Sequence, residues 1–184
     1  QINAEMDVSK KCFISVAAGC SIATMEKALN NLCAVIRTMP NTPSQLGLGV
    51  SGIYASSQAN EQQKAIAEQL MSAVGITKWL EKEDDIDNII AVSGSGPAYF
   101  FLFMEAMEKH ALTLGFTAKE SRELVQQTAM GAAQMIANND SPISELRENV
   151  TSKGGTTQAA LSTFIDGGLE PLVRKAMNNA ISRA

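Results

Sequence analysis

A short polar stretch near the end of the chain has the composition of an anion-binding loop. Residues 149–157 read Asn-Val-Thr-Ser-Lys-Gly-Gly-Thr-Thr and run directly into an apolar helical segment. Two adjacent glycines let the backbone approach a ligand closely, and the first N–H groups of the following helix favour a negative charge. The stretch therefore predicts a site for a small carboxylate or phosphate. The alternative is that Gly155 or Thr156 only caps the helix.

Two further stretches could contribute to a binding site. Pro40-Asn41-Thr42-Pro43 follows a predicted strand and places an amide at the carboxyl edge of a sheet, where open α/β sheets bind ligands. The second stretch, Ser-Gly-Ser-Gly-Pro-Ala-Tyr at residues 93–99, is a glycine-rich entry to a helix, and its small residues let a flat ring pack against the backbone. A rigid turn and an interhelical hinge are the respective alternatives.

Other sequence features argue against several kinds of chemistry. Residues 47–52 satisfy the G-x-G-x-x-G pattern, but that fingerprint needs a strand before it and a helix after it. Here a proline-containing loop precedes the glycines and residues 50–55 alternate like a strand, so we expect no dinucleotide phosphate there. His110, the only histidine, lies among polar neighbours, which predicts a structural role and leaves no Ser-His-Asp triad. No metal site is predicted.

The composition favours a soluble globular protein that binds a small molecule. The 184 residues are 45% hydrophobic and carry a net charge of −4, with scattered basic residues, so we expect no nucleic-acid or membrane partner. Three cysteines without C-x-x-C spacing predict buried free thiols in a reducing compartment rather than zinc or disulfides. No uninterrupted apolar run approaches the ~20 residues that span a bilayer, and the first residues lack signal-peptide features. The expected location is cytoplasmic.

The two parts of the chain predict different architectures. Before residue 81, strands over 12–18, 34–39, 50–55 and 76–80 alternate with helices over 22–29 and 60–73, which indicates a parallel or mixed sheet covered by helices. The first residues have the pattern of the middle of an amphipathic helix.

After residue 81 the sequence predicts only helices, over 97–114, 117–138, 141–148, 157–165 and 171–183. The acidic run of residues 81–85 predicts a solvated boundary loop. The first of these helices is apolar on every side over residues 98–104, so we expect it to be buried all round, against a partner chain. Small residues at 129–133 predict close helix contact.

Taken in order, several of these blocks resemble those of pyrroline-5-carboxylate reductases over essentially the whole chain. The blocks are Ser-Val-Ala-Ala-Gly at residues 15–19, the run through Met-Pro-Asn-Thr-Pro at 35–43, and the stretches at 93–99 and 149–157. The resemblance implies an α/β Rossmann-type remnant over 1–80, followed over 81–184 by an all-α dimerisation and substrate-binding domain like the C-terminal domain of 6-phosphogluconate dehydrogenase. Members of this family begin with a strand, a glycine-rich phosphate turn and a helix that this sequence lacks. We therefore expect a truncated form with impaired cofactor binding.

The resemblance also implies an activity and a set of site residues. The activity is the reduction of 1-pyrroline-5-carboxylate to L-proline with NADPH or NADH, the last step of proline biosynthesis. Thr157 would face the imine nitrogen as the catalytic residue. The implied substrate-binding residues are Ser152, Gly154, Gly155, Thr156 and Thr157. The implied cofactor-binding residues are Ala18, Met39, Pro40, Asn41, Pro97 and Asn149.

Similar enzymes build each site from two subunits, which implies a homodimer or a higher homo-oligomer for this chain. Two alternatives remain at this point. The chain could be a non-catalytic helical oligomerisation core, or a dehydrogenase module that acts on another small carboxylate.

Overall fold

The structure, a computed structural model, describes residues 7–184. The predicted helix at the very start lies outside the described residues. The chain divides into two compact units, one that ends at Pro97 and takes in Met177–Ala184, and one formed by Ala98–Ala176. A division by spatial proximity need not coincide with a domain boundary, so the predicted boundary near residue 81 stays a prediction.

Four strands form one mixed sheet in the first unit. The sheet has the order β1-β2-β3-β4, with β1 parallel to β2, β2 antiparallel to β3, and β3 parallel to β4. Its strands are β1 (Cys12–Ser15), β2 (Ala34–Met39), β3 (Gly49–Ala55) and β4 (Gly75–Trp79). This topology brings the carboxyl ends of β1 and β2 to the same edge as the first residues of β3 and β4.

The sequence located all four strands, and the mixed sheet is confirmed. The first strand is shorter than predicted, because it ends at Ser15 rather than at residue 18. The hydroxyl of Ser15 accepts a hydrogen bond from the Ala17 N–H at 3.2 Å, and this local turn competes with pairing along the sheet. The turn is completed by Gly19, whose φ is +66°, a conformation that disfavours other residues.

Helices cover both faces of the sheet. Helix α1 (Ile22–Ala28) packs Ile22 against Val35 on one face, and helix α2 (Glu61–Ser72) packs Ala67 against Ile36 on the other. Neighbouring residues of β2 thus enter opposite cores, as the period of two in a strand requires. The loop between β2 and β3 contains a 3₁₀ helix over Thr42–Leu46.

The long apolar segment forms one continuous helical stretch, Asp85–Thr113. It consists of α3 (Asp85–Ile89), a π-helical segment (Ile90–Gly94) and α4 (Gly96–Thr113). Among the described residues it is the one helix long and apolar enough to cross a membrane by length and composition, which the count of uninterrupted apolar residues did not anticipate. Its first part instead lies in the core of the sheet unit, since Ile86 and Ala91 are fully buried there.

The second half of the chain is helical, as predicted. The helices are α5 (Ala118–Ala137), α6 (Ile143–Asn149), α7 (Thr156–Asp166) and α8 (Leu169–Ile181). A capping box formed by Thr117 and Glu120 begins α5. Helix α6 begins after Pro142, and no side chain caps it. Gly168, with φ +76°, follows α7 in the left-handed conformation.

Within the single described chain the apolar half of α4 is exposed, so its predicted burial would have to come from the predicted partner chain. Phe100, Phe101 and Leu102 expose 71, 64 and 69% of their surface. The small-residue face of α5 also makes no close contact at Gly131 within the described chain, since a Cβ there would meet nothing within 4 Å. Both surfaces are therefore open within the described chain.

Candidate functional site

The predicted anion-binding loop joins α6 to α7 and lies wholly within the second unit. Gly154 adopts φ +74°, and Gly155 is the N-cap residue of α7, with no side chain that caps the helix. Gly155 cannot be replaced without a shift, because a Cβ there would collide with the hydroxyl oxygen of Ser152. The glycine therefore serves a close approach of Ser152 to the helix start, which goes beyond simple capping.

The hydrogen bonds of this loop separate occupied donors from free ones. The Gly154 N–H donates to Oε1 of Gln158 at 2.5 Å, and the Gly155 N–H donates to the carbonyl of Ser152 at 3.0 Å. Within the described chain, the N–H groups of Thr156 and Thr157 have no acceptor, because they occupy the first turn of α7. Two amides and their adjacent hydroxyls are therefore available to an anion at the positive end of the helix dipole.

Asn149 is the last residue of α6 and is exposed. Thr151, two residues later, makes two hydrogen bonds back to α6 that fix the turn. Its hydroxyl donates to the Arg147 carbonyl at 2.6 Å, and its N–H donates to the Glu148 carbonyl at 2.9 Å. The end of α6 and the start of α7 are thus connected by a rigid turn. Asn149 belongs to the same unit as residues 152–157.

The other predicted cofactor-binding residues lie in the first unit. Ala18 is exposed in the loop after β1, while Met39 ends β2 with 8% of its surface exposed and Pro40 follows it. The hydroxyl of Thr38 donates to the Ser15 carbonyl at 3.1 Å and ties these two strand ends together. As the sequence predicted, Asn41 lies at the carboxyl edge of the sheet, and it precedes the 3₁₀ helix.

The side chain of Asn41 bridges three segments of the first unit. Its Oδ1 accepts a hydrogen bond from the Val50 N–H at 2.8 Å, and its Nδ2 donates to the Ser93 carbonyl at 2.9 Å. Ser93 is buried in the π-helical segment, and four residues later Pro97 forms the first turn of α4. Asn41 and Pro97, predicted from separate motifs, are therefore connected through Ser93.

The structure contains a buried ion pair that the sequence interpretation missed. Oε1 of Glu83 accepts a hydrogen bond from Nη1 of Arg37 and another from the Ile22 N–H at the start of α1, both at 2.7 Å. The two side chains expose 23 and 8% of their surface, so the prediction of a fully solvated acidic loop is wrong for Glu83. The only available sequence signal was an arginine inside an apolar strand, which requires a partner when it is buried.

The G-x-G-x-x-G stretch has structural reasons for its glycines. Gly49 and Gly52 lie in β3, and no helix follows the stretch. A Cβ on Gly49 would lie 2.8 Å from the carbonyl oxygen of Val74, and one on Gly52 would lie 3.1 Å from side-chain carbons of Ile89. The close packing of β3 against its neighbours explains Gly49 and Gly52, and the strand after the stretch is the context that the sequence predicted.

The remaining candidate residues have structural surroundings. His110 is exposed, and its Nδ1 lies 3.2 Å from the hydroxyl of Thr113. The three thiols are free, although only Cys33 is fully buried. Desolvation raises the pKa of Cys12 and of Cys33 above the ordinary value, so both thiols stay protonated at neutral pH. Over residues 7–184, no three His, Cys, Asp or Glu side chains come close enough to hold a metal ion.

The first unit has an exposed backbone after β1 but no free N–H at the first residue of α1. The loop after β1 is small and exposed at Ala17, Ala18 and Gly19, which lets a flat ring approach the backbone. At the start of α1, however, the Ile22 N–H already binds the Glu83 carboxylate. The first N–H of α1 is therefore not free for a pyrophosphate oxygen, which a helix start otherwise attracts.

Comparison with known proteins gives one consistent result. The domain family described as pyrroline-5-carboxylate reductase dimerisation matches residues 83–184. The pyrroline-5-carboxylate reductase of Vibrio alginolyticus is 51% identical over 180 residues, which are 97% of this chain and 66% of that protein. The enzyme of the same name from Pseudomonas aeruginosa is 46% identical over 175 residues, 95% of this chain and 64% of the relative. The chain thus spans just under two thirds of the length of these relatives.

Solved structures agree with the sequence comparison. A pyrroline-5-carboxylate reductase from Coxiella burnetii superimposes with a TM-score of 0.90 at 41% identity, over 99% of this chain and 66% of that one. Pyrroline carboxylate reductase of Plasmodium falciparum, solved with NADP bound, gives a TM-score of 0.89 at 30% identity, over 96% and 67% of the two chains. The predicted order of a Rossmann-type remnant and a helical dimerisation domain is confirmed by these neighbours.

Proposed function

Because the chain belongs to the pyrroline-5-carboxylate reductase family, we propose that it serves the reduction of 1-pyrroline-5-carboxylate to L-proline with NADPH or NADH. One observation supports this substrate class more than any other. At the start of α7, two free amides lie beside a glycine that allows the close approach of Ser152. A ring that carries one carboxylate is a ligand of the size and charge that such a loop binds.

We propose that the substrate carboxylate binds at the N-terminus of α7. The N–H groups of Thr156 and Thr157 donate to its oxygens, with the hydroxyls of Ser152 and Thr156 beside them. Gly154 and Gly155 act through backbone shape, because their own N–H groups are already bonded within the loop. Hydrogen bonds to a charged group are worth about 1.5–3 kcal/mol each, enough for a few of them to orient a small ring.

Thr157 holds the reacting nitrogen in this proposal. When bound, the nicotinamide cofactor supplies a hydride for the carbon of the C=N bond. The Thr157 hydroxyl orients the ring nitrogen or relays a proton to it from water. It is too weak an acid to be the sole proton source, so its contribution is alignment of the nitrogen at the moment of transfer.

We further propose that the nicotinamide and its ribose lie along the strand ends of the first unit. The backbone of Ala18 and the segment from Met39 to Asn41 would line the ring, with Pro97 at the entry of α4. Asn149 would complete the ribose side. The small side chains and exposed backbone of the loop after β1 support this assignment.

The test uses protein expressed from the complete reading frame that encodes this chain. Oxidation of NADPH and of NADH is followed with 1-pyrroline-5-carboxylate, for the wild type and for Thr157→Ala. We expect a loss of about 10²-fold in kcat, because a misplacement of a reacting group by about 1 Å costs on that order. The matched control is Thr163→Ala, on the same helix, whose exposed hydroxyl bonds only to the Ala159 carbonyl at 3.2 Å.

The same experiment can contradict the proposal. Full turnover in Thr157→Ala would remove this hydroxyl from the mechanism. A wild-type protein that binds neither cofactor nor proline would favour a non-catalytic oligomerisation core, while turnover restricted to other cyclic or open-chain carboxylates would favour a different dehydrogenase. Proline titration into Gly155→Ala separates binding from chemistry, because the added Cβ displaces Ser152 without touching the Thr157 hydroxyl.

We also propose that two copies of the chain associate through the exposed apolar face of α4, and that the protein acts in the cytoplasm. The exposed phenylalanines of α4 lie within the residues that match the dimerisation family. Beside them, α4 and α5 form a cleft of about 530 Å³ whose lining includes Phe101, Met104 and Val125. Apolar side chains of a second copy could bind in this cleft. The three free thiols agree with a reducing compartment.

Sedimentation equilibrium tests the association. We expect a dimer for the wild type and a shift toward monomer for Phe101→Glu, since a charge would be buried in the interface. Leu46→Glu is the matched control, because Leu46 is 79% exposed but lies outside the residues that match the dimerisation family. A monomeric wild type, or equal weakening by both variants, would contradict the proposed interface.

A further inference from the structure

Pro97 removes one backbone hydrogen bond from the long helix, and a side chain from another segment of the first unit replaces it. In an α-helix the carbonyl of residue 93 would accept a hydrogen bond from the N–H of residue 97. Proline has no N–H, and its ring crowds the carbonyl four residues before it. The carbonyl of Ser93 therefore loses its usual donor, and Ser93 is itself a buried residue, with 8% of its surface exposed. An unpaired carbonyl at such a position would cost free energy.

The side chain of Asn41 provides the missing donor. Its Nδ2 lies 2.9 Å from the Ser93 carbonyl, and its Oδ1 accepts from the Val50 N–H at 2.8 Å. Asn41 occupies the N-cap position of the 3₁₀ helix, where an asparagine ordinarily accepts from the first turn, but here the side chain makes no capping bond. The Asn41 side chain thus bonds to a residue 52 positions away in the sequence instead of capping its own helix.

The π-helical segment has the geometry that lets the Asn41 side chain replace the missing backbone donor. The Ser95 N–H bonds to the Ile90 carbonyl, five residues back, at 2.8 Å, and the Ser93 hydroxyl bonds to the Ile89 carbonyl at 3.0 Å. A π-helical turn inside an α-helix costs stability, and such turns are found often at functional sites. Here the turn ends directly before Gly96 and Pro97, so its geometry sets where α4 begins.

We propose that Asn41 is a positioning residue that compensates for Pro97. By holding the Ser93 carbonyl, it fixes the π-helical entry to α4 relative to the segment that follows β2. This inference rests on the proposed function for its catalytic consequence, since Met39, Pro40 and Pro97 are the residues there assigned to the nicotinamide. The side chain of Asn41 thus acts through the backbone it holds, while its remaining donor and acceptor capacity stays free.

A double-mutant cycle tests the compensation directly. Asn41→Asp keeps an acceptor for the Val50 N–H but removes the donor to Ser93, and Pro97→Ala restores a backbone donor to the same carbonyl. In the 184-residue chain, amide exchange followed by NMR reports on the Ser95 N–H, with the Val50 N–H as internal control. We expect Asn41→Asp to accelerate exchange at Ser95 about two- to tenfold, the range for loss of one hydrogen bond. In the Pro97→Ala variant, Asn41→Asp should accelerate exchange at the Ser95 N–H by less than about twofold.

The outcomes are decisive in either direction. Equal acceleration at Ser95 on both backgrounds would overturn the proposal, as would an unchanged exchange rate in Asn41→Asp. If Asn41→Asp fails to fold alone but folds together with Pro97→Ala, this rescue supports the proposal. Failure to fold on both backgrounds would overturn it, because the two residues would then act independently.

Kinetics of the protein from the complete reading frame distinguish positioning from mere stability. Asn41→Asp should lower kcat about tenfold and leave the KM for 1-pyrroline-5-carboxylate unchanged, because the predicted carboxylate site belongs to the other unit. Pro97→Ala should reduce that effect of Asn41→Asp. A coupling seen in amide exchange but not in kcat would overturn the positioning role. An inactive wild type with intact coupling would overturn the proposed function, and with it that role, but not the hydrogen-bond compensation.

Discussion

The ion pair between Arg37 and Glu83 should stabilise the first unit substantially, and Glu83→Gln is the change that measures its contribution. The substitution keeps the shape of the side chain and an oxygen acceptor but removes the charge. Two hydrogen bonds at 2.7 Å depend on that charge, one from Nη1 of Arg37 and one from the Ile22 N–H. The guanidinium would be left buried, since its side chain exposes only 8% of its surface.

The magnitude follows from these contacts. Hydrogen bonds to charged groups contribute about 1.5–3 kcal/mol and neutral ones about 0.5–1.5 kcal/mol, so the bond from the Ile22 N–H alone loses about 1–1.5 kcal/mol, while the bond from the still charged Arg37 is weakened. Breaking a buried pair outright costs about 3–5 kcal/mol, because one charge remains uncompensated. We therefore expect Glu83→Gln to lower the free energy of unfolding by about 3 kcal/mol, against the roughly 5–15 kcal/mol that stabilises an ordinary domain.

Urea unfolding followed by tryptophan fluorescence is a suitable assay. Trp79 is the only tryptophan of the chain and packs against the core of the same sheet. A loss of 3 kcal/mol lowers the midpoint by about 1 M or more for a typical denaturant dependence. Glu81→Gln is the control, since Glu81 belongs to the same acidic run but is exposed, and it should change stability by less than about 0.5 kcal/mol. Equal, small effects of both substitutions would refute the reasoning.

Two further predictions concern the helix caps and the glycines. Hydrogen bonds from the Thr117 hydroxyl and N–H hold the pKa of Glu120 below its ordinary value, so its contribution to stability is present above the unfolded-state pKa and is lost as pH falls through the lower folded-state value. The melting temperatures of wild type and Glu120→Gln should thus differ at pH 7 and converge below about pH 4. A difference that grows on acidification would contradict this assignment. Gly49→Ala should lower the free energy of unfolding by about 1–3 kcal/mol, because its Cβ would lie 2.8 Å from the Val74 carbonyl oxygen. Gly131→Ala, with open space around it, should raise the free energy of unfolding of the single chain by about 1 kcal/mol. Equal effects of the two substitutions in urea unfolding would count against this packing argument.

Much of the sheet unit could be predicted from the sequence because its signals are local. Alternating or continuous apolar runs gave all four strands, β2 without error, and breakers such as Gly19 marked their ends. Capping residues did the same for α2 and α5, where Asn60 and Thr117 form complete capping boxes. The errors at the strand ends are a few residues long, but the helical segment Asp85–Gly94 before the predicted helix was not predicted at all.

The contacts that organise the candidate site could not be predicted in the same way. The donor and acceptor atoms of the Arg37–Glu83 pair are 46 residues apart, and those of the Asn41–Ser93 bond are 52 apart. No periodicity links such positions, so a buried arginine or a diverted asparagine shows only that a partner exists. The anion-binding loop could be found because its glycines and its helix start are adjacent in sequence, and the physics of a helix terminus is local.

Helix α4 shows why an apolar pattern predicts the need for burial without identifying what provides it. The composition of residues 98–104 demands an apolar environment, and the described chain leaves Phe100, Phe101 and Leu102 each more than 60% exposed. Fully burying a side chain of this kind is worth about 1.5–3 kcal/mol, so covering these three on one chain could gain about 4–9 kcal/mol before the entropy cost of association. A second copy offers the same surface in return and doubles that gain. This exposure on a single chain agrees with the predicted need for a partner chain and is the physical reason to expect a dimer.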